Sequence, residues 1–180
     1  RQEYTTTGAR KRKQIIMDSN IEIKSNQLTL DDLHVGQIFE SASHHIDAEQ
    51  IMSFAREFDP QPFHLDDEAA KDTLFGNLAA SGWHTAAITM NLLVARTPIA
   101  GGLIGTSADI FWPRPTRAGD TLHVNTEVLD IKPSRSRSDR GMVTVRSITL
   151  NQDNRAVQIL TSRLVVPRRA SSVARAPEPS

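Results

Sequence analysis

No cysteine occurs in the 180 residues, which excludes disulfides, thiolate-held metals, iron–sulfur clusters and a cysteine nucleophile. Aromatic residues make up only 5%, leaving few surfaces on which nucleobases could stack. Charge of either sign is in no excess, with 21 basic and 21 acidic residues. No apolar run reaches the roughly 18 residues that would announce a membrane-spanning helix. Nor does a basic stretch leading into an apolar core open the chain, so no secretory leader is expected and the expected location is cytoplasmic. What remains is a 38% hydrophobic sequence, enough to build one small core at this length.

The zero net charge conceals an uneven distribution. Residues 1–16 sum to +4, residues 163–180 to +3, and the body, 17–162, to −7. A body of that sign repels a phosphate backbone, so no nucleic-acid partner is expected. The Arg-Lys-Arg-Lys run at 10–13 reads as a solvated arm. The end beyond Pro167 carries too few apolar side chains to offset the entropy of ordering it. The expected organisation is a flexible N-terminal tail and lead-in over 1–27, a single domain over 28–167, and a flexible tail over 168–180.

Within the body the hydrophobic period changes once. Leu33, Val35, Ile38 and Phe39 bracket Gly36 and read as a lead-in turning into a strand. Asp47, with Gln50 three residues on, has the form of a capping box, and Ile51, Phe54, Ala55 and Phe58 follow at helical spacing. Pro60 and Pro62 end that helix, and Asp66 can cap a second, short one. From Gly82 to about Val94 apolar residues surround most of the circumference, the pattern of a helix buried in the core rather than lying on a surface. After Gly101, Gly102 and Gly105 the period falls to two. Strands are expected over 104–111, around 122–128, over 142–150 and over 157–166. Helices followed by a run of antiparallel strands make the class α+β.

The stretch richest in chemistry is Phe58-Asp59-Pro60-Gln61-Pro62-Phe63-His64. Two prolines forbid a regular helix between the carboxylate and the imidazole and stiffen the loop that aims them. An Asp and a His turned toward one space can orient and deprotonate a water, whereas the plain structural alternative is a pair that merely caps a loop. Gln61 lies between them and can bond loop carbonyls. Gly82, at a helix start, offers a free N–H at the positive end of the helix dipole with no Cβ in the way, or simply permits a tight entry turn.

Asp59-Pro-Gln-Pro-Phe-His64 resembles the D-x-[NQ]-P-x-H signature of the MaoC-like dehydratases, the (R)-specific enoyl-CoA hydratase group. The similarity continues through Leu65-Asp66, Ala69-Ala70, Phe75-Gly76 and Ala80-Ser81-Gly82 to Phe111-Trp112-Pro113-Arg114-Pro115 and Gly119-Asp120, and it spans about residues 31–167. The resemblance implies a hot dog fold, a curved antiparallel sheet wrapped around one long central helix, and a homodimer with its site near the interface. It implies reversible addition of water to a trans-2-enoyl thioester, with Asp59 and His64 holding the water and the Gly82 N–H receiving the oxyanion charge. The substrate is then an acyl-CoA or an acyl-carrier thioester, with no cofactor beyond the coenzyme A of the substrate. Two positions depart from the family pattern. Ser81 stands where a histidine is frequent, and Met90 where a serine helps to orient the site.

The remaining candidates divide into pocket and scaffold. Trp83 and Met90 are expected to line the acyl pocket, with Gln61 and Ser81 near the thioester. Arg114 and Arg117, on a proline-rich turn, suit the phosphates of coenzyme A or are plain surface charges. His84 reads as a structural histidine. His44, His45 and Asp47 lack a third ligand at diagnostic spacing, so no metal site is expected. Two other functions compete. A thioesterase of the same fold would need an acid on the central helix, and 83–94 has none. A non-catalytic thioester-binding or scaffold protein would have no need of both Asp59 and His64.

Overall fold

The computed structural model describes residues 27–169, so the expected tails lie almost wholly outside the described residues. Short elements come first: a 3-10 turn at Leu30–Asp32, then β1 (Ile38–Glu40) and β2 (His44–His45). Four α-helices follow among the described residues: α1 (Ala48–Phe58), α2 (Pro62–Leu65), α3 (Asp67–Lys71) and α4 (Gly82–Arg96). Four long strands complete the order: β3 (Ile104–Phe111), β4 (Thr121–Pro133), β5 (Arg140–Leu150) and β6 (Ala156–Pro167).

The cap expected at Asp47 is present. Its carboxylate accepts the Gln50 N–H at 2.8 Å while the Gln50 side chain accepts the Asp47 N–H at 3.0 Å. Pro60 stops α1, Pro62 opens α2 at the position where a missing N–H costs nothing, and Asp66 caps α3 through the Ala69 N–H at 2.8 Å.

The sheet is antiparallel throughout, in the order β1-β4-β5-β6-β3, with β2 also on β4. The alternation read from the sequence sets its faces: Leu122, Val124, Thr126 and Val128 of β4 turn inward, as do Val143, Val145, Ser147 and Thr149 of β5. Two apolar clusters form the core. One joins Ile46, Ile51, Ile88, Leu92 and Leu122, and the other Leu30, Ile99, Val128, Val143 and Val166.

The architecture is α+β and hot dog-like, but the expected wrapping of a curved sheet around one long central helix is not what is found. Helical residues are shared among four separate helices, the longest with 15 residues, because the prolines and the Asp66 cap cut the helical stretch into pieces. The sheet stays open, with β1 and β3 as edges that do not pair with each other. No helix among the described residues is long and apolar enough to cross a membrane.

The expected core helix, α4, is buried on one face and exposed on the other. Its inward face carries Ile88, Leu92 and Leu93 together with the polar His84, Thr85 and Thr89, while Trp83, Met90 and Val94 lie outward and exposed. The threonines can turn inward because they find partners. Thr85 Oγ1 donates to Thr116 Oγ1 at 2.9 Å, and Thr89 Oγ1 lies 2.7 Å from Thr149 Oγ1.

Candidate active site

Asp59 closes α1 and His64 lies within α2, so the two are brought together by the loop that separates those helices. Pro60 fixes the turn, and the Gln61 N–H donates to the Asp59 carbonyl at 2.7 Å. The result is that Asp59 Oδ2 stands 3.5 Å from His64 Nε2, with the side chains only 18% and 5% exposed. That separation exceeds a normal hydrogen bond, yet one water can reach both atoms.

Every other polar atom of the pair is occupied. His64 Nδ1 lies 2.7 Å from the Ala79 carbonyl. A carbonyl only accepts, so Nδ1 carries the proton and the lone pair of the neutral ring is on Nε2, facing Asp59. Asp59 Oδ1 accepts from Gln61 Nε2 at 2.8 Å and Oδ2 from the Ser81 hydroxyl at 2.6 Å. Burial pushes the Asp59 carboxyl up, but the bonds from Ser81 and Gln61 outweigh it, with a smaller contribution from the His64 ring in its protonated form, and hold the pKa below the ordinary 3.8. Asp59 is therefore an anion at neutral pH.

Ser81 is buried and caps α4, its Oγ accepting the Trp83 N–H at 3.2 Å. Gly82 follows at once. Its own N–H has no protein partner among the described residues, and it sits at the positive end of a 15-residue helix. Asp59, His64, Ser81 and Gly82 line one cavity of about 550 Å³, together with Trp112 and Arg114. A carboxylate, an imidazole lone pair and an unpaired amide facing one space can position a water and receive negative charge on an oxygen beside it.

Seven of the nine residues singled out in the sequence gather here: Asp59, His64, Gly82, Gln61, Ser81, Trp83 and Arg114. The other two do not. Met90, half-exposed on α4, borders a separate apolar cavity of about 350 Å³ that Ala86 and Leu93 share with residues of the sheet. Arg117 is engaged with the backbone, its guanidinium donating to the carbonyls of Phe75, Asn77 and Leu78 at 2.6–3.2 Å, and it clamps the 75–78 segment. Gln61, which can bond loop carbonyls by its place between the pair, turns its side-chain amide to Asp59. Sequence reading also gave no role to Trp112 and Gln158, although the Trp-Pro-Arg-Pro run marked the first as part of a rigid turn. Among the described residues no group of three or more His, Asp or Glu side chains is gathered as a metal site requires.

The MaoC like domain model matches residues 32–151, two thirds of the chain and the whole of the region that builds this site. The chain belongs to the MaoC-like domain family. Within that family it is 35% identical over 127 residues to the uncharacterized protein YdeM of Bacillus subtilis (strain 168), covering 69% of this chain and 89% of that one. It is 32% identical over 112 residues to the 3-hydroxybutyryl-CoA dehydratase of Methylorubrum extorquens, covering 62% and 70%. Among solved structures, the MaoC-like dehydratase from Rhodospirillum rubrum is 59% identical, with a TM-score of 0.78 over 79% of this chain and 98% of that one. In this MaoC-like domain, Asp59, His64 and Gly82 all fall inside the matched region.

Proposed function

We propose that the MaoC-like domain is a hydratase/dehydratase that reversibly adds water to a trans-2-enoyl thioester, forming the (R)-3-hydroxyacyl thioester, with coenzyme A as the carrier. The observation that carries this reading is the Asp59–His64 pair, 3.5 Å apart and lining the same cavity as Gly82, whose amide has no partner among the described residues. The Methylorubrum relative, named as a dehydratase of a coenzyme A thioester, supports the same reaction class.

In the hydration direction one water donates to Asp59 Oδ2 and His64 Nε2. Its oxygen adds to C3, the C2–C3 π electrons move toward the carbonyl, and the charge that collects on the thioester oxygen is met by the Gly82 N–H. The pair takes one proton from the water and one proton is returned to C2, so the sum is addition of H and OH. Dehydration runs the same steps backward, with the pair removing the C2 proton and the departing hydroxyl leaving as water. Gln61 and Ser81 keep Asp59 ionised and aimed. Arg114 stands at the rim, its guanidinium donating to the Ala156 carbonyl at 3.2 Å with donors left for a phosphate of the carrier.

The partner in solution is a second copy. The outward face of α4 presents Trp83, Met90 and Val94, and β3 is an edge strand exposed at nearly every residue. An apolar stripe and an open edge on the same molecule invite self-association.

Incubation with crotonyl-CoA tests the reaction. Loss of the enoyl absorbance, with (R)-3-hydroxybutyryl-CoA recovered on chiral analysis, is the expected result. Release of free thiol without hydration would instead identify a thioesterase, and no change in the thioester would leave a binding protein.

A further inference from the structure

The wall of the cavity beside Gly82 is the Trp112 indole, and it is held by a fully buried glutamine. Gln158 is fully buried on β6 between Val157 and Leu160, both also buried. Its Oε1 accepts the Trp112 Nε1–H at 2.8 Å, while its Nε2 is buried with no partner. The unmet Nε2 is a cost, set against the bond from the indole N–H, which an aliphatic side chain at this position would leave without its acceptor. What the glutamine provides is a fixed edge for the indole.

The ring is held on two further sides. A Cβ on Gly82 would stand 2.8 Å from Trp112 Cε2 and 3.0 Å from two more ring atoms, so the indole rests on the glycine backbone itself. Trp83 meets it edge-on, with centroids 5.5 Å apart and an interplanar angle of 80°. Trp112, 38% exposed, lines the cavity shared with Asp59 and His64.

We propose that Trp112, locked by Gln158, is the specificity-determining wall of this site and admits enoyl thioesters that are unsubstituted at C2 while excluding those branched there. The inference rests on the hydratase reading. If the thioester oxygen sits on the Gly82 N–H, the adjoining C2 must pass the ring that lies against Gly82, and a methyl group on C2 meets the indole. Trp112 bounds the substrate directly, and Gln158 acts through it as a positioning residue.

The test compares kcat/KM for crotonyl-CoA and for trans-2-methylbut-2-enoyl-CoA in the wild type, Trp112→Leu, Trp112→Phe and Gln158→Leu. The wild type is expected to prefer crotonyl-CoA, and Trp112→Leu to shift the ratio toward the branched substrate by about tenfold or more, the scale on which one methyl group is discriminated. Gln158→Leu shifts it the same way by less, and in a Trp83→Phe background it also moves the Trp112 emission to longer wavelength, a signature that loss of stability without unfolding does not produce. Circular dichroism establishes which variants fold. If Trp112→Leu does not, Trp112→Phe and Gln158→Leu decide. Folded variants that hydrate crotonyl-CoA with the wild-type ratio overturn the inference and leave the hydratase reading intact. A wild type that accepts both substrates equally overturns it too. A wild type that hydrates neither overturns the hydratase reading itself, and this inference with it.

Discussion

Asp59 accepts two hydrogen bonds, from Gln61 and Ser81, before any substrate is considered, and both favour the ionised carboxylate. The sign of the pH dependence follows. A carboxyl whose folded pKa lies below its ordinary value adds stability above that value and loses the contribution as pH falls through the folded one. The acid limb of kcat/KM that reports Asp59 is therefore expected below 3.8, and Ser81→Ala, which removes one of the two bonds, moves it upward. A kcat/KM profile between acid and neutral pH checks this, and an unmoved limb would mean that Ser81 serves only as a helix cap. The Asp59–His64 pair was legible in the sequence because five residues and two prolines confine it locally. The holding of Asp59 by Ser81 was not, because a contact between residues 59 and 81 depends on how α4 docks against the α1–α2 loop.

At the scale of elements, α4 is fixed to the site by its first turn. Gly82→Ala places a methyl group within 2.8 Å of the Trp112 ring, so the indole or the helix start must move. Overpacking of this kind costs about 1–3 kcal/mol, and activity is expected to fall further than stability because the same shift displaces the Gly82 amide. Thermal melts set beside crotonyl-CoA kinetics separate the two losses. At the other end of the scaffold, Asp47→Ala removes the cap of α1 at a cost of about 1 kcal/mol, read as a lowered Tm with kcat/KM near that of the wild type in the folded range. Period-two alternation made β4, β5 and β6 readable. It could not show that the sheet stays open, or that α4 hides its threonines and exposes Trp83, Met90 and Val94, since hydroxyl partners such as Thr116 and Thr149 come from distant segments.

At the scale of the whole molecule, the exposed apolar stripe of α4 and the free edge of β3 predict a species of twice the mass of a single chain in sedimentation equilibrium. Val94→Glu, which puts a charge on that stripe away from the cavity, is expected to shift the equilibrium to monomer. An unchanged assembly, or a wild type that is already monomeric, would remove the second copy from the account. Arg117 shows why reading a surface from sequence is hard: a cation on a proline-rich turn has the look of a phosphate ligand, but its guanidinium is spent on three carbonyls of the 75–78 segment.

The most direct measurement is a double-mutant cycle on the hydration of crotonyl-CoA with Asp59→Asn, His64→Gln and the two combined. If both groups act on one water, each single change costs about 10³-fold or more in kcat/KM and the double variant is scarcely worse than either, as for residues that work as a unit. Losses that simply multiply, or near wild-type turnover in either single variant, would contradict the shared water.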